Sequence, residues 1–289
     1  MISIILTILL FSLLVIFFKL FERFNVISLH AISINYLFAA GWGFVFAMQP
    51  FNIIDILDSK WIYHAMVIGC MFIFVFNLLA LGTQKVGIAV ATVANKMSLV
   101  IPVIFSLFFY ASDTVNFLKI VGISLALAGV YFSSTEGGKL AFDKRYLWLI
   151  ATIFFMQGVA DITFNHAQET TVQPEEMETF FGALFLVAGL AGSIAALPKI
   201  ISKQEKLKPS ALLFGIMFGI TNYLTLQFMF EALSTPGLEP SLVYPLVSMG
   251  VVLTSAIAGL VFFKEKLSLS NWFGIGLAVV AIATLAYAA

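Results

Sequence analysis

Residues 87–110 read GIAVATVANKMSLVIPVIFSLFFY, an apolar run interrupted by Thr92, Asn95, Lys96 and Ser98. Its length suits a helix crossing roughly 30 Å of hydrocarbon. Lys96 nevertheless falls about 12 Å beyond Ile88 at the rise of an α-helix. Placing a lysine at the centre of a membrane helix costs roughly 2.5–3.5 kcal/mol, so a cation at that depth points to a role. Thr92, Asn95, Ser98 and Pro102 recur around it at helical spacing, which predicts a polar face, and Pro102 predicts a freed backbone carbonyl.

The rest of the chain repeats the pattern. Of 289 residues, 61% are hydrophobic and 10% charged, well above the roughly 45–50% apolar content of soluble domains. Apolar runs of roughly 17–25 residues predict ten transmembrane helices. Five lie in the first half, at Ile2 to Phe18, His30 to Met48, Trp61 to Leu81, Gly87 to Tyr110 and Phe117 to Phe132. Five follow, at Tyr146 to His166, Glu178 to Leu197, Ser210 to Leu233, Glu239 to Phe263 and Ser270 to Ala288. Membrane β-strands are shorter and alternate polar with apolar residues, which these continuous runs do not. The first run lacks a basic residue before it and a small-residue cleavage signal after it, so it is expected to be a membrane helix and not a signal peptide. Formal net charge is zero, which excludes a generally basic nucleic-acid surface. Cys70 is the only cysteine, and no cysteine-based metal site follows from it.

Basic residues set the expected topology. Loops after odd-numbered helices hold Lys19, Arg23, Lys85, Lys139, Lys144, Arg145, Lys199, Lys203, Lys206, Lys208, Lys264 and Lys266, whereas even-numbered loops hold Lys60 and Lys119. Positive residues stay cytoplasmic, so both termini are expected outside the inner (plasma) membrane.

Val93-Ala94-Asn95-Lys96-Met97-Ser98 lies over Val243-Tyr244-Pro245-Leu246-Val247-Ser248, and Gly122-Ile123 over Gly274-Ile275 after a two-residue shift. Asp113 then falls over Glu265, with lysines flanking only the second copy. Five helices per half invert one half against the other, so the same loop is basic only where it is cytoplasmic. The predicted organisation is a first repeat over 1–133, a cytoplasmic connector over 134–145 and a second repeat over 146–289.

On these residues the chain resembles the drug/metabolite transporter superfamily, specifically its EamA-like ten-helix members. The resemblance covers the full length. It rests on two five-helix repeats, each ending in an acidic residue followed by a glycine-containing helix, Asp113 with Gly122-Ile123-Ser124-Leu125 and Glu265-Lys266-Leu267 with Gly274-Ile275-Gly276-Leu277. Asp113 stands where the family more usually has Glu. The resemblance implies an all-α polytopic fold around a central cavity, and export or exchange of small metabolites.

Candidate substrate contacts are Asn95, Lys96 and Ser98 on the fourth helix, Tyr244 and Ser248 on the ninth, and Asn222 on the eighth. A further stripe on the sixth helix comprises Gln157, Asp161, Asn165 and Gln168 at spacings of three or four residues. Lys96 is suited to an anionic or carboxylate-bearing substrate, and Asp161 to pairing with it or to coupling protons. Hydrogen-bonded glue between helices is the plainer alternative, and it weighs most at Asn222. Gly215 and Gly219 are read as close helix packing, and His166 as a solvated rim residue.

Two other function classes fit less well. An intramembrane enzyme lacks a recognisable nucleophile-and-base or metal-ligand spacing, and a channel usually shows filter loops or oligomeric rings. The expected partners are the lipid bilayer and a small-molecule substrate, with protons as a candidate coupling ion and no nucleic acid. No cofactor is called for, and the chain is expected to be a monomer or a homodimer.

Overall fold

Long, continuously apolar runs satisfy their backbone in hydrocarbon as helices, and helices account for nearly all of the secondary structure among the described residues. The structure is a computed structural model describing residues 2–47, 52–109, 117–136, 139–140, 142–233 and 240–288. Helices α1 (Ile2–Arg23), α2 (Ser28–Phe46) and the short α3 (Ile53–Leu57) are followed by α4 (Ile62–Lys85), α5 (Ile88–Met97), α6 (Val100–Phe109) and α7 (Phe117–Ser133). A two-residue ladder pairs Thr135–Glu136 with Lys139–Leu140. Then come α8 (Leu147–Thr170), α9 (Met177–Ile201), α10 (Pro209–Leu233), α11 (Pro240–Phe263) and α12 (Leu269–Ala288).

Among the described residues, eight helices are long and apolar enough to cross a membrane, and Ile88–Pro102 and Phe117–Ser133 are shorter apolar segments. Ile5, Val67, Phe155 and Ile194 are exposed within their helices. That is the arrangement expected when the solvent is lipid.

Two differences from the expected helices stand out. The short α3 occupies a stretch read as a loop. The run over Gly87 to Tyr110, expected as one helix, is two, α5 and α6, separated at Ser98 and Leu99. Pro102 supplies the cause. A proline has no N–H for the carbonyl four residues back, and its ring crowds that carbonyl. The Ser98 carbonyl instead accepts from the Ile101 N–H at 2.8 Å, a tighter i to i+3 bond. Ser98 keeps right-handed angles, φ −55° and ψ −20°, so the chain tightens there without reversing. Asp113 and the Met48-Gln49-Pro50 break lie outside the described residues.

The chain forms two compact units. Unit 1 is Met1–Lys19, Leu78–Gly158 and Leu224–Ala289, and unit 2 is Leu20–Asn77 and Val159–Tyr223. Each draws on both halves of the sequence.

In unit 1, α7 and α12 pack along their length, and α5 packs against α7, α11 and α12. Small residues permit this: a Cβ at Gly129 would stand 3.0 Å from the Ala278 backbone nitrogen. The core joins Val93 and Met97 of α5 with Ala126, Phe154, Val252, Ala256, Ile275, Ala278 and Ile282. A second apolar cluster gathers Ile4 of α1, Ala232 of α10 and Val243, Val247 and Val251 of α11.

In unit 2, α2 packs against α9. Tyr36 is fully buried, and its ring stacks on Phe185 with centroids 5.7 Å apart. The Gly215 and Gly219 pair brings α10 against α2, for a Cβ at Gly219 would stand 3.0 Å from the Asn35 carbonyl oxygen. At that close approach the Asn222 Nδ2 donates to the Asn35 Oδ1 at 3.1 Å.

Candidate functional site

The α5–α6 interruption lies beside the deep cation. Nine of the ten α5 residues are buried, and Lys96 is the partly exposed one. Its ammonium sits over the Phe11 ring of α1, 3.5 Å from the centroid. A cation over an aromatic face is worth about 0.5–1 kcal/mol when exposed and about 2 kcal/mol or more when desolvated. The contact helps to place the Lys96 ammonium against α1 within unit 1.

Asn95, next in the chain, donates its Nδ2 to the Gln157 Oε1 of α8 at 2.9 Å. Its side chain and that of Ser98 are buried. The Ser98 hydroxyl donates to the Asn95 carbonyl at 2.5 Å, replacing a partner at the end of α5. One turn earlier, Thr92 is buried with a hydroxyl oxygen that has no hydrogen-bond partner among the described residues. At the end of α5, beside the break, Lys96 thus meets α1 and Asn95 meets α8. Sequence spacing placed Thr92, Asn95, Lys96 and Ser98 on one helix, but neither Phe11 nor the bond from Asn95 to Gln157 follows from spacing.

The remaining candidates lie elsewhere in the fold. Asp161 and Asn165 belong to unit 2, where Asp161 is partly buried and Asn165 exposed. Asn222 uses an amide proton on Asn35 within the same unit. Ser248 is partly buried on α11, and farther along it the Ser255 hydroxyl bonds back to the Val251 carbonyl at 2.6 Å. The side chains of Tyr244 and Gln168 lie outside the described residues. His166 is exposed, with its ring 5.6 Å from that of His64.

Glu265 is a further polar centre, which the sequence marked through the internal repeat and the family resemblance but not as a candidate contact. It follows α11, with its backbone N–H donating to the Gly259 carbonyl at 3.0 Å. Both carboxylate oxygens lie 3.0 Å from the Ile88 N–H at the start of α5. The N-cap there is Gly87, which has no side chain and takes φ +102°, a conformation natural to glycine. Glu265 supplies the missing acceptor and places negative charge at a helix N-terminus, where the helix dipole favours it. Lys19 of α1 lies 3.7 Å from the Glu265 Oε1 and donates to the Thr83 carbonyl of α4 at 3.1 Å.

No family model matches the chain. An uncharacterized protein of Haemophilus influenzae is 26% identical over 276 residues, covering 93% of this chain and 92% of its relative. A solved crystal structure superposes with a TM-score of 0.62 at 14% identity, over 98% of this chain and 94% of the other. The likeness to that structure is one of fold.

Proposed function

We propose that this protein is a secondary transporter of the EamA-like kind, moving a small metabolite across the cytoplasmic membrane by alternating access, as an exporter or exchanger. Its ten crossings form two inverted five-helix repeats, with α5 and α6 together making one crossing. The observation that carries this reading is the interrupted helix with Lys96, Asn95 and Ser98 at the break. Discontinuous membrane helices are a recurrent device for presenting polar groups to a substrate near midplane. Lys96 binds the anionic or carboxylate group of the substrate. Gln157 and Asn95 supply hydrogen bonds, and Asp161 is the candidate for proton coupling. A substrate anion can compete with the Phe11 ring for the ammonium, because charge-assisted hydrogen bonds are among the strong ones.

Substrate identification comes first in the test. A metabolite that binds the folded protein raises its apparent melting temperature. The hit is then used in counterflow from proteoliposomes. A carrier accelerates uptake of labelled substrate when unlabelled substrate is trapped inside, and a pore does not. Passive flux without trans-stimulation refutes the carrier reading.

A further inference from the structure

We infer that Glu265 and Lys19 form an ionic gate, which joins α1 and α4 to the start of α5 and opens to admit solvent or substrate to the Lys96 region of unit 1; this rests on the transport reading above. Three parts of the chain meet at one carboxylate, and a fourth joins them through Lys19. Glu265 comes from the segment between α11 and α12 and accepts from Ile88, 177 positions away, through both oxygens. It faces Lys19 at 3.7 Å, and Lys19 in turn holds the Thr83 carbonyl of α4. Beside this point, the Gln84 Nε2 of α4 donates to the Phe18 carbonyl at 2.9 Å.

Space for the carboxylate is built in. A Cβ at Gly259 would stand 2.7 Å from the Glu265 Oε2, and one at Gly87 would stand 3.2 Å from the same atom. The two side chains keep 20% and 14% of their surface exposed. A pair in that state is dry enough to hold, yet water can reach it and replace each contact when it opens. A fully buried pair could not be broken without leaving a stranded charge. Ser98, at the other end of α5, lies about 15 Å along the helix from Ile88 and is buried, as expected behind a closed gate.

A simple helix cap would behave differently. Losing a cap frays the first turn of α5, and it depends on Glu265 alone. Losing a gate exposes the far end of the helix, and it depends on Lys19 as much as on Glu265.

The test measures labelling by a membrane-impermeant thiol reagent in vesicles of each orientation, in a Cys70→Ser background. Reporters are Ser98→Cys, Ala91→Cys in the first turn, and Ala188→Cys as a buried control in unit 2. The gate predicts that Glu265→Gln and Lys19→Gln each raise Ser98→Cys labelling at least fivefold from one side of the membrane, with Ala188→Cys unchanged. Labelling that rises only at Ala91→Cys, and only with Glu265→Gln, overturns the gate and leaves a cap. Unchanged labelling at Ser98→Cys also overturns it. Should Glu265→Gln expose the control as well, Lys19→Gln decides, because it leaves the Ile88 cap in place. None of these readings uses a substrate, so a failed counterflow experiment counts against transport and not against the gate.

Discussion

Asn95 of α5 donates to Gln157 of α8 at 2.9 Å, with the Asn95 side chain buried. The bond fixes the end of an interrupted helix beside a cation, so it bears on stability and on the site together. Side-chain hydrogen bonds between membrane helices average about 0.6 kcal/mol, with a maximum of about 1.7 kcal/mol. A double-mutant cycle with Asn95→Leu and Gln157→Leu, read by unfolding in mild detergent, is expected to give a coupling energy in that range. Additive effects of the two substitutions would mean the pair does not interact.

Lys96 tests the site's chemistry. Lys96→Ala is expected to lower counterflow at least tenfold while the melting temperature stays within a few degrees, because a lost charge contact removes substrate affinity without emptying the core. Phe11→Leu should behave in the opposite way. It removes the face under the ammonium, costs about 0.5–2 kcal/mol of stability, and leaves counterflow the less affected. Asp161→Asn is expected to weaken transport and flatten its pH dependence. Full transport in both Lys96→Ala and Asp161→Asn would end their assignment to the site.

Pro102 is expected to maintain the break. Pro102→Ala restores an N–H that can reach the Ser98 carbonyl and relieves the ring crowding, so α5 and α6 should join into one helix. Amide exchange at residues 98–102 should slow, melting temperature should hold or rise, and counterflow should fall severalfold. Faster exchange with unaltered transport would show that the interruption has another cause.

The membrane orientation is tested from the C-terminus. A fusion reporter active only in the cytoplasm should give no signal there and a strong signal when placed in the connector near Lys144. The reverse pattern inverts the predicted topology.

At the exposed Asp143, the Arg145 guanidinium beside the carboxylate holds its pKa below the usual range, while Arg145 is correspondingly raised. A carboxyl depressed in the folded state stabilises above its unfolded pKa and loses that contribution as pH falls through the folded value. The pair therefore stays intact throughout the neutral range. Asp143→Asn is expected to leave the pH profile of counterflow between about pH 6 and 8 unchanged, and a shifted profile would make this loop part of the coupling machinery.

Much of the architecture is legible in the order of residues. Hydropathy is close to a sum of local transfer free energies, so runs such as Ile62–Lys85 and Met177–Ile201 announce themselves whatever they pack against. The deep Lys96 and its neighbours Asn95 and Ser98 were equally visible, since helical spacing fixes which positions share a face. Pro102 carried the signal for the interrupted helix, but a lost N–H alone does not say whether the chain kinks, tightens or continues; the Ile101 bond to Ser98 settles that.

What tertiary structure decided are the partners. Phe11 under Lys96, Gln157 against Asn95 and Glu265 at the start of α5 join residues 85, 62 and 177 positions apart. Hydrogen bonds and ion pairs depend on distances of a few ångström and on direction, and neither is contained in the local pattern of a helix. Gly87 illustrates the division. Its sequence neighbourhood marks a helix start with no capping side chain, and only the fold brings the carboxylate that fills that role.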